Sequence, residues 1–220
     1  MALLWLPGVP ALMMITEHYN QVLRLLDKKE TVRLALDIKA RFTTADDQMA
    51  YNTVADLPGT SKKDEWVVLG AHLDSWHSGT GAADNAAGVA VMMEAMRILK
   101  ASGLKTKRSI RIGLWSGEEQ GLNGSGSFTA DHPEVIKGLQ FAFNQDNGTG
   151  RVVSTGPGLH PENGPRLAQY MGQMPSQLTQ YIRLSGPSGI GSGSDDASFR
   201  CWGAPAVGLG ALNWDYSNST

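Results

Sequence analysis

Cysteine is nearly missing from this chain of 220 residues: Cys201 stands alone, which excludes an internal disulfide framework and leaves the redox compartment open. Neither sign of charge is in excess, with 19 Lys+Arg against 21 Asp+Glu and a net charge of −2. That balance points away from nucleic acid and from anionic membranes as partners. No apolar run approaches the roughly 18 residues needed to cross a bilayer. The opening Met1–Gly8 is apolar but short and has no basic flank, so it does not read as a signal peptide. Internal repeats and low-complexity tracts are also lacking. What is present is ordinary for a soluble globular protein, 41% hydrophobic and 18% charged. The length suits one large domain, or one domain plus a fragment.

The first 42 residues read differently from the rest. Val9–Ile15 looks like a strand, and Thr16–Leu26 like a helix with Thr16 as N-cap and Tyr19, Val22, Leu23 and Leu26 on one face. Thr31–Phe42 alternates apolar and polar residues, the pattern of a half-buried strand. Together they read as the end of a separate small domain, with the main domain from 43 to 220. There, Tyr51–Leu57 and Trp66–Leu69 predict strands, and Asn85–Ala101 a helix stopped by Gly103. Arg108–Trp115 and Leu139–Asn144 predict further strands, Gly164–Met174 a helix and Ala204–Leu209 a last strand. Strands alternating with helices imply an α/β sheet covered on both faces.

Ligands of open α/β sheets bind beyond the carboxyl ends of the strands. Three strands here end in metal-competent groups: His72 and Asp74 with Asp84, then Glu118 and Glu119, then Asp146. His72 and Asp74, two residues apart, would leave the same face of an extended chain. Each group alone has a plainer reading. Asp84 sits where a helix N-cap belongs, Glu118–Glu119 and Asp146 suit solvated turns, and His72 suits a buried, satisfied histidine. Their joint occurrence at three strand ends favours a metal site, because so many acids at one sheet edge repel unless cations lie between them. Hard oxygens plus imidazole suit zinc or a similar divalent ion. Two ions roughly 3.5–4 Å apart would make a hydrolytic site. Of two adjacent glutamates, one can bind metal while its neighbour takes a proton from water.

His72–Trp76, Gly79–Gly88 (GTGAADNAAG), Trp115–Gly121 (WSGEEQG) and Gly193–Phe199 (GSDDASF) resemble the motifs of the di-zinc exopeptidases, which include zinc aminopeptidases and the plasma glutamate carboxypeptidase (carboxypeptidase Q) type. The resemblance covers about residues 50–220. It implies a three-layer α/β/α fold with a mixed, mostly parallel sheet, of the zinc-exopeptidase (phosphorylase/hydrolase-like) type. Residues 1–42 would be the remnant of an inserted protease-associated domain. It further implies His72 and Asp146 on one zinc, Glu119 on the other and Asp84 bridging. Glu118 would be general base and acid, and Asp74 would orient His72. The implied reaction is attack of a bridging hydroxide on a terminal peptide bond of a peptide or dipeptide. Ser194 and Asp195 are expected to line the substrate pocket. The resemblance also suggests a secreted or periplasmic protein and allows a homodimer.

Two departures stand out. The family's last zinc ligand, a histidine, is expected just after Asn213–Thr220 and is not in the chain; His77 is the nearest substitute. Where many relatives continue the Gly-Ser-Asp motif with histidine, this chain has Asp196. A fragment with a weakened second zinc site is therefore the expectation. The alternative is a non-catalytic, receptor-like binding domain on the same fold, although five costly polar groups kept together argue against it. A di-zinc peptidase with a separate dimerisation lid fits less well, since no lid-sized insertion separates residues 119 and 146.

Overall fold

The computed structural model describes residues 14–39, 49–77 and 79–212. The chain divides into two units, Met1–Asp47 and Gln48–Thr220. In the first, α1 (Thr16–Asp27) forms where expected, with Glu17 in its first turn and Arg24 in its last, charges that suit the helix dipole. Its N-cap is Ile15 rather than Thr16, and no side chain caps it. The strand expected over Thr31–Phe42 does not form: residues 31–39 are irregular and almost wholly exposed. Alternation alone cannot make a strand without a neighbour to accept its hydrogen bonds. Residues 40–42 and most of the Val9–Ile15 strand lie outside the described residues.

The second unit is built on a five-stranded sheet in the order β1-β3-β2-β4-β7. Its strands are β1 (Thr53–Leu57), β2 (Lys62–His72), β3 (Arg108–Trp115), β4 (Leu139–Asn144) and β7 (Ala206–Gly208). Only β1 runs antiparallel to its neighbour among these described strands; β3, β2, β4 and β7 are parallel. Alternate residues of β2 feed two cores. Val68 joins Trp115, Phe128, Val135 and Phe199 on one face, while Ala71 joins Val89, Met92, Ile112 and Leu114 on the other. Helix α2 (Ala87–Ala101) packs on β2 and β3, whereas α4 (Pro133–Gly138) packs on β2 and α7 (Asp196–Arg200) on β4 and β7. Helix, sheet and helix layers follow, as expected.

The sequence hid α3 (Asn123–Asp131), because Asn-Gly-Ser-Gly-Ser has poor helix propensity and weak amphipathicity. Burial of Ser125, Phe128 and Thr129 overrides that preference. Also unforeseen was a small second sheet, β6-β5-β8, made from β5 (Val152–Thr155), β6 (Arg183–Leu184) and β8 (Gly210–Ala211). Helices α5 (Asn163–Gly172) and α6 (Ser176–Thr179) lie between β5 and β6 in sequence. Among the described residues, no helix is long and apolar enough to cross a membrane.

The winding positions the site. From β2 the chain crosses through α2 to β3 on one side, then passes through α3 and α4 to β4 on β2's other side. The direction of winding thus reverses between β2 and β4, which opens a crevice at the carboxyl ends of these strands.

Candidate metal centre

His72 is the last residue of β2 and is 1% exposed. Its Nδ1 lies 3.0 Å from the main-chain carbonyl oxygen of Asp74. A carbonyl only accepts, so Nδ1 carries a proton, and Nε2 is left to donate to a carboxylate or, once deprotonated, to bind a metal. That Nε2 faces two carboxylates at once, with Asp84 Oδ1 at 2.9 Å and Asp146 Oδ1 at 3.1 Å. One imidazole nitrogen can hold a proton for only one of them. Asp84 Oδ1 is buried and has no hydrogen-bond partner among the described residues.

Asp74 corrects the sequence reading in one respect. It lies beyond the end of β2, not on the strand, and it orients His72 through its main-chain carbonyl, its carboxylate standing farther off at 3.5 Å. The carboxylate instead accepts the N–H groups of Glu118 at 3.1 Å and Glu119 at 3.2 Å. Asp74 therefore fixes both the histidine and the glutamate pair, by two different groups.

Asp84 does not cap α2. The helix starts at Ala87 after an irregular turn over Ala82–Ala86, its cap is Ala86, and Asp84 and Asn85 have non-helical backbone angles. The turn is tied down by Asn85, buried at 1% exposure, whose Nδ2 donates to the carbonyl of Gln145 at 2.9 Å. This bond joins the loop bearing Asp84 to the loop bearing Asp146. Gly88 permits the approach: a Cβ there would come within 2.4 Å of both Asn85 Oδ1 and the Gln145 carbonyl oxygen. Gly88→Ala is accordingly expected to lower stability by about 1–3 kcal/mol and to weaken metal binding with it. Thermal unfolding with and without zinc checks this, and an unchanged melting temperature contradicts it.

The donors form two groups that share His72: His72, Glu118 and Asp146, and His72, Asp84 and Glu119, each with donor atoms within 4.8 Å of one another. All five sequence-derived residues are thus brought together, with Glu118 itself inside the first group. His77 is exposed and belongs to neither. Ser194 donates to Asp146 Oδ2 and accepts from Asn144 Nδ2 at 2.8 Å. Asp195, expected to line a pocket with Ser194, is fully buried instead and is absent from the wall of the adjoining cavity, to which Ser194 and Asp196 contribute. It sits on the first turn leading into α7, a helix that burial of Phe199 holds against the sheet.

Electrostatics follow from this crowding. Burial pushes the Glu118 carboxyl up to about 8; the His72 charge opposes this, and Asp146, Asp195 and Glu119 add to it. Burial also raises Asp84 and Glu119, with neighbouring carboxylates adding to the effect. For His72, burial favours the neutral ring, but Asp146, Glu118 and Asp84 outweigh it and raise the pKa to about 10. Burial opposes ionisation of Asp146 too, yet the bonds from His72 and Ser194 hold its pKa below the usual range. Asp195 is pushed up to about 7, chiefly by burial. Without a cation the cluster keeps protons that carboxylates normally lose. Hard oxygens, one imidazole lone pair and an orphaned Asp84 oxygen fit zinc or a similar divalent ion.

Known proteins share this arrangement of chain. The sequence matches the profile of Peptidase family M28 over residues 52–219. Carboxypeptidase Q of Xenopus laevis is 28% identical over 203 residues, which span 92% of this chain and 42% of that protein. The structure of a peptidase M28 precursor from Shewanella amazonensis superposes with a TM-score of 0.65 at 29% identity, covering 77% of this chain and 38% of that one. An aminopeptidase from Aneurinibacillus sp. strain AM-1 gives a TM-score of 0.60 at 27% identity, covering 76% and 41%. The chain spans less than half the length of each of these relatives. Because the family match runs through the whole of the described sheet and every residue of the acidic cluster, the chain belongs to peptidase family M28.

Proposed function

We propose that the protein bearing this chain is a zinc-dependent exopeptidase that hydrolyses the terminal bond of a peptide or dipeptide. The observation that carries the reading is His72 Nε2 facing Asp84 and Asp146 at 2.9 and 3.1 Å, with Glu118 beside them. The names of the relatives, carboxypeptidase Q and aminopeptidase, support the same class of reaction.

In this reading His72 and Asp146 would hold one zinc, Glu119 would hold a second, and Asp84 would serve both. Bound zinc would supply Lewis-acid polarisation of the scissile carbonyl and an acidified water. Glu118 takes a proton from the attacking water and delivers it to the leaving amine nitrogen. The Asp74 carboxylate, holding the Glu118 and Glu119 N–H groups, keeps the base and its ligand neighbour in register. The Asn144–Ser194–Asp146 chain of hydrogen bonds fixes the far side of the cluster.

The test is hydrolysis of free dipeptides by the full-length protein, alongside elemental analysis. We expect bound zinc, turnover abolished by a chelator and turnover restored by added zinc. N-acetylated and C-amidated dipeptides then separate the two ends: an aminopeptidase rejects the first, a carboxypeptidase the second. A protein that binds no metal and cleaves none of these is a binding domain on the same fold.

A further inference from the structure

The segment from Gly186 to Ser194 leads from β6 into α7 without regular secondary structure. Together with Thr155 of β5 and Val207 of β7 it lines a cavity of about 310 Å³ beside Asp146. Four of its nine residues are glycine (Gly186, Gly189, Gly191 and Gly193), and a Cβ added at any of them would meet nothing within 4 Å. Packing does not hold the chain at these positions, and glycine has more backbone freedom to lose than any other residue. Hydrogen bonds must fix its course.

Those bonds converge on two buried, oppositely charged side chains of α7. Arg200, 4% exposed, donates from Nη1 to Ser188 Oγ at 3.0 Å and to the Gly189 carbonyl at 2.9 Å, and from Nε to the Ala206 carbonyl of β7 at 2.9 Å. Asp196, 2% exposed, pairs with Arg200 Nη2 across one helical turn and accepts from Ser192 Oγ at 2.7 Å. Among the described residues, the hydrogen bonds that tie 189–193 to chain outside the segment all end on this pair.

The other end of the segment reaches the metal centre. The Ser192 hydroxyl gives its one proton to Asp196, which leaves a lone pair for the Ser194 main-chain N–H at 3.4 Å. Ser194 Oγ accepts from Asn144 Nδ2 at 2.8 Å, and an amide nitrogen only donates, so the Ser194 proton points to Asp146 Oδ2. With Oδ2 engaged, Oδ1 is the oxygen turned to His72 Nε2 at 3.1 Å.

We propose that Arg200 and Asp196 are positioning residues of the metal centre: through Ser192 they hold the glycine-rich segment so that Ser194 occupies one oxygen of Asp146 and leaves the other for a cation. A buried ion pair adds little stability over a well-packed apolar pair of similar volume, so its use here is the geometry it imposes. Asp146 as a ligand rests on the zinc reading above; the anchoring of the segment rests on the bonds themselves.

Ser192 is the link to cut, because it is exposed and its loss leaves the Arg200–Asp196 pair intact. In the full-length protein Ser192→Ala should weaken zinc binding about threefold or more with an unchanged melting temperature, and should alter the visible absorption of the cobalt-loaded protein. Asp146 and Glu119 serve different ions in the zinc reading, so only one of two binding steps should move. Ser192→Thr keeps the hydroxyl and should restore both readouts. Asp196→Leu combined with Arg200→Met replaces the pair by apolar side chains, a change folds usually tolerate, and should cost zinc affinity about tenfold or more. Competition with a chromophoric chelator measures these affinities.

Ser192→Ala binding zinc as tightly as the parent, with an unaltered cobalt spectrum, overturns the proposal. A loss confined to the double variant also overturns it, since the pair is then an element of the fold alone. A parent that binds no zinc removes the zinc reading, and hydrogen exchange of the metal-free protein then decides. Faster exchange at Asp146 and Asn147 in Ser192→Ala upholds the positioning chain, and unchanged exchange there overturns it.

Discussion

Glu118→Gln is expected to lower kcat by roughly 10²–10⁴-fold, the range usual for loss of a general acid–base group, while bound zinc changes little. Gln keeps the volume and the main-chain N–H that Asp74 Oδ1 accepts, so the loop after β3 should hold its place. What it removes is the proton acceptor. The four other donors in the two groups remain, so elemental analysis should still find metal. Turnover of a free dipeptide and metal content, measured on the same preparation, separate the proton-transfer role from a ligand role. If metal and activity fall together, Glu118 is a ligand and the acid–base assignment is wrong.

The second large effect concerns acidity and metal. Glu118 moves from 4.5 to about 8 and His72 from 6.5 to about 10, so both bind protons more tightly in the folded chain than in the unfolded one. The stability they contribute is complete below the unfolded values and is lost as pH rises, between about 4.5 and 8 for Glu118 and between 6.5 and 10 for His72. Asp84 and Glu119 act in the same direction, whereas the lowered Asp146 contributes stability that disappears on acidification. The metal-free protein should therefore melt at lower temperature at pH 8 than at pH 5. Zinc replaces the retained protons, so its stabilising shift should be larger at pH 8. At a free concentration 100 times the Kd the gain is about 2.7 kcal/mol, or roughly 5–10 °C for a protein of this size.

Asp84→Asn should reverse part of this pattern. It takes a carboxylate out of a crowded cluster, so the metal-free melting temperature at pH 8 should rise. It also removes a donor, so zinc affinity should fall at least about 10–100-fold, the loss typical even of residues that only support a ligand. Differential scanning fluorimetry across a zinc titration measures both changes. A variant that binds zinc as tightly as the parent would exclude Asp84 from the centre.

The acidic cluster was legible before the fold because its members, Asp84 on the turn before α2 excepted, lie at or within a few residues of strand ends that periodicity alone could find. Arg108–Trp115 and Leu139–Asn144 form over the residues expected, and Glu118 and Asp146 follow within a few positions. Of the cavity wall only Ser194 was legible. Thr155 lies on a four-residue strand that pairs with the two-residue strands β6 and β8, elements too short to carry a period. The expected strand over Thr31–Phe42 shows the converse, since its alternation is clear and its described part, residues 31–39, is irregular.

Composition and pattern by themselves determined the class of fold, the candidate donors and their order along the chain, because side-chain chemistry and hydrophobic spacing are local properties. Tertiary structure alone decided how those donors are used. That Asp74 reaches His72 by a carbonyl and the glutamates by its carboxylate, that Asp84 faces Nε2 instead of capping α2, and that Asp195 is buried behind the site all depend on the distances at which loops from separate strands settle, the Asp74 contact with Glu118 spanning 44 positions. Such distances are set by which strands are neighbours and where the winding of the sheet reverses, and no local pattern encodes them.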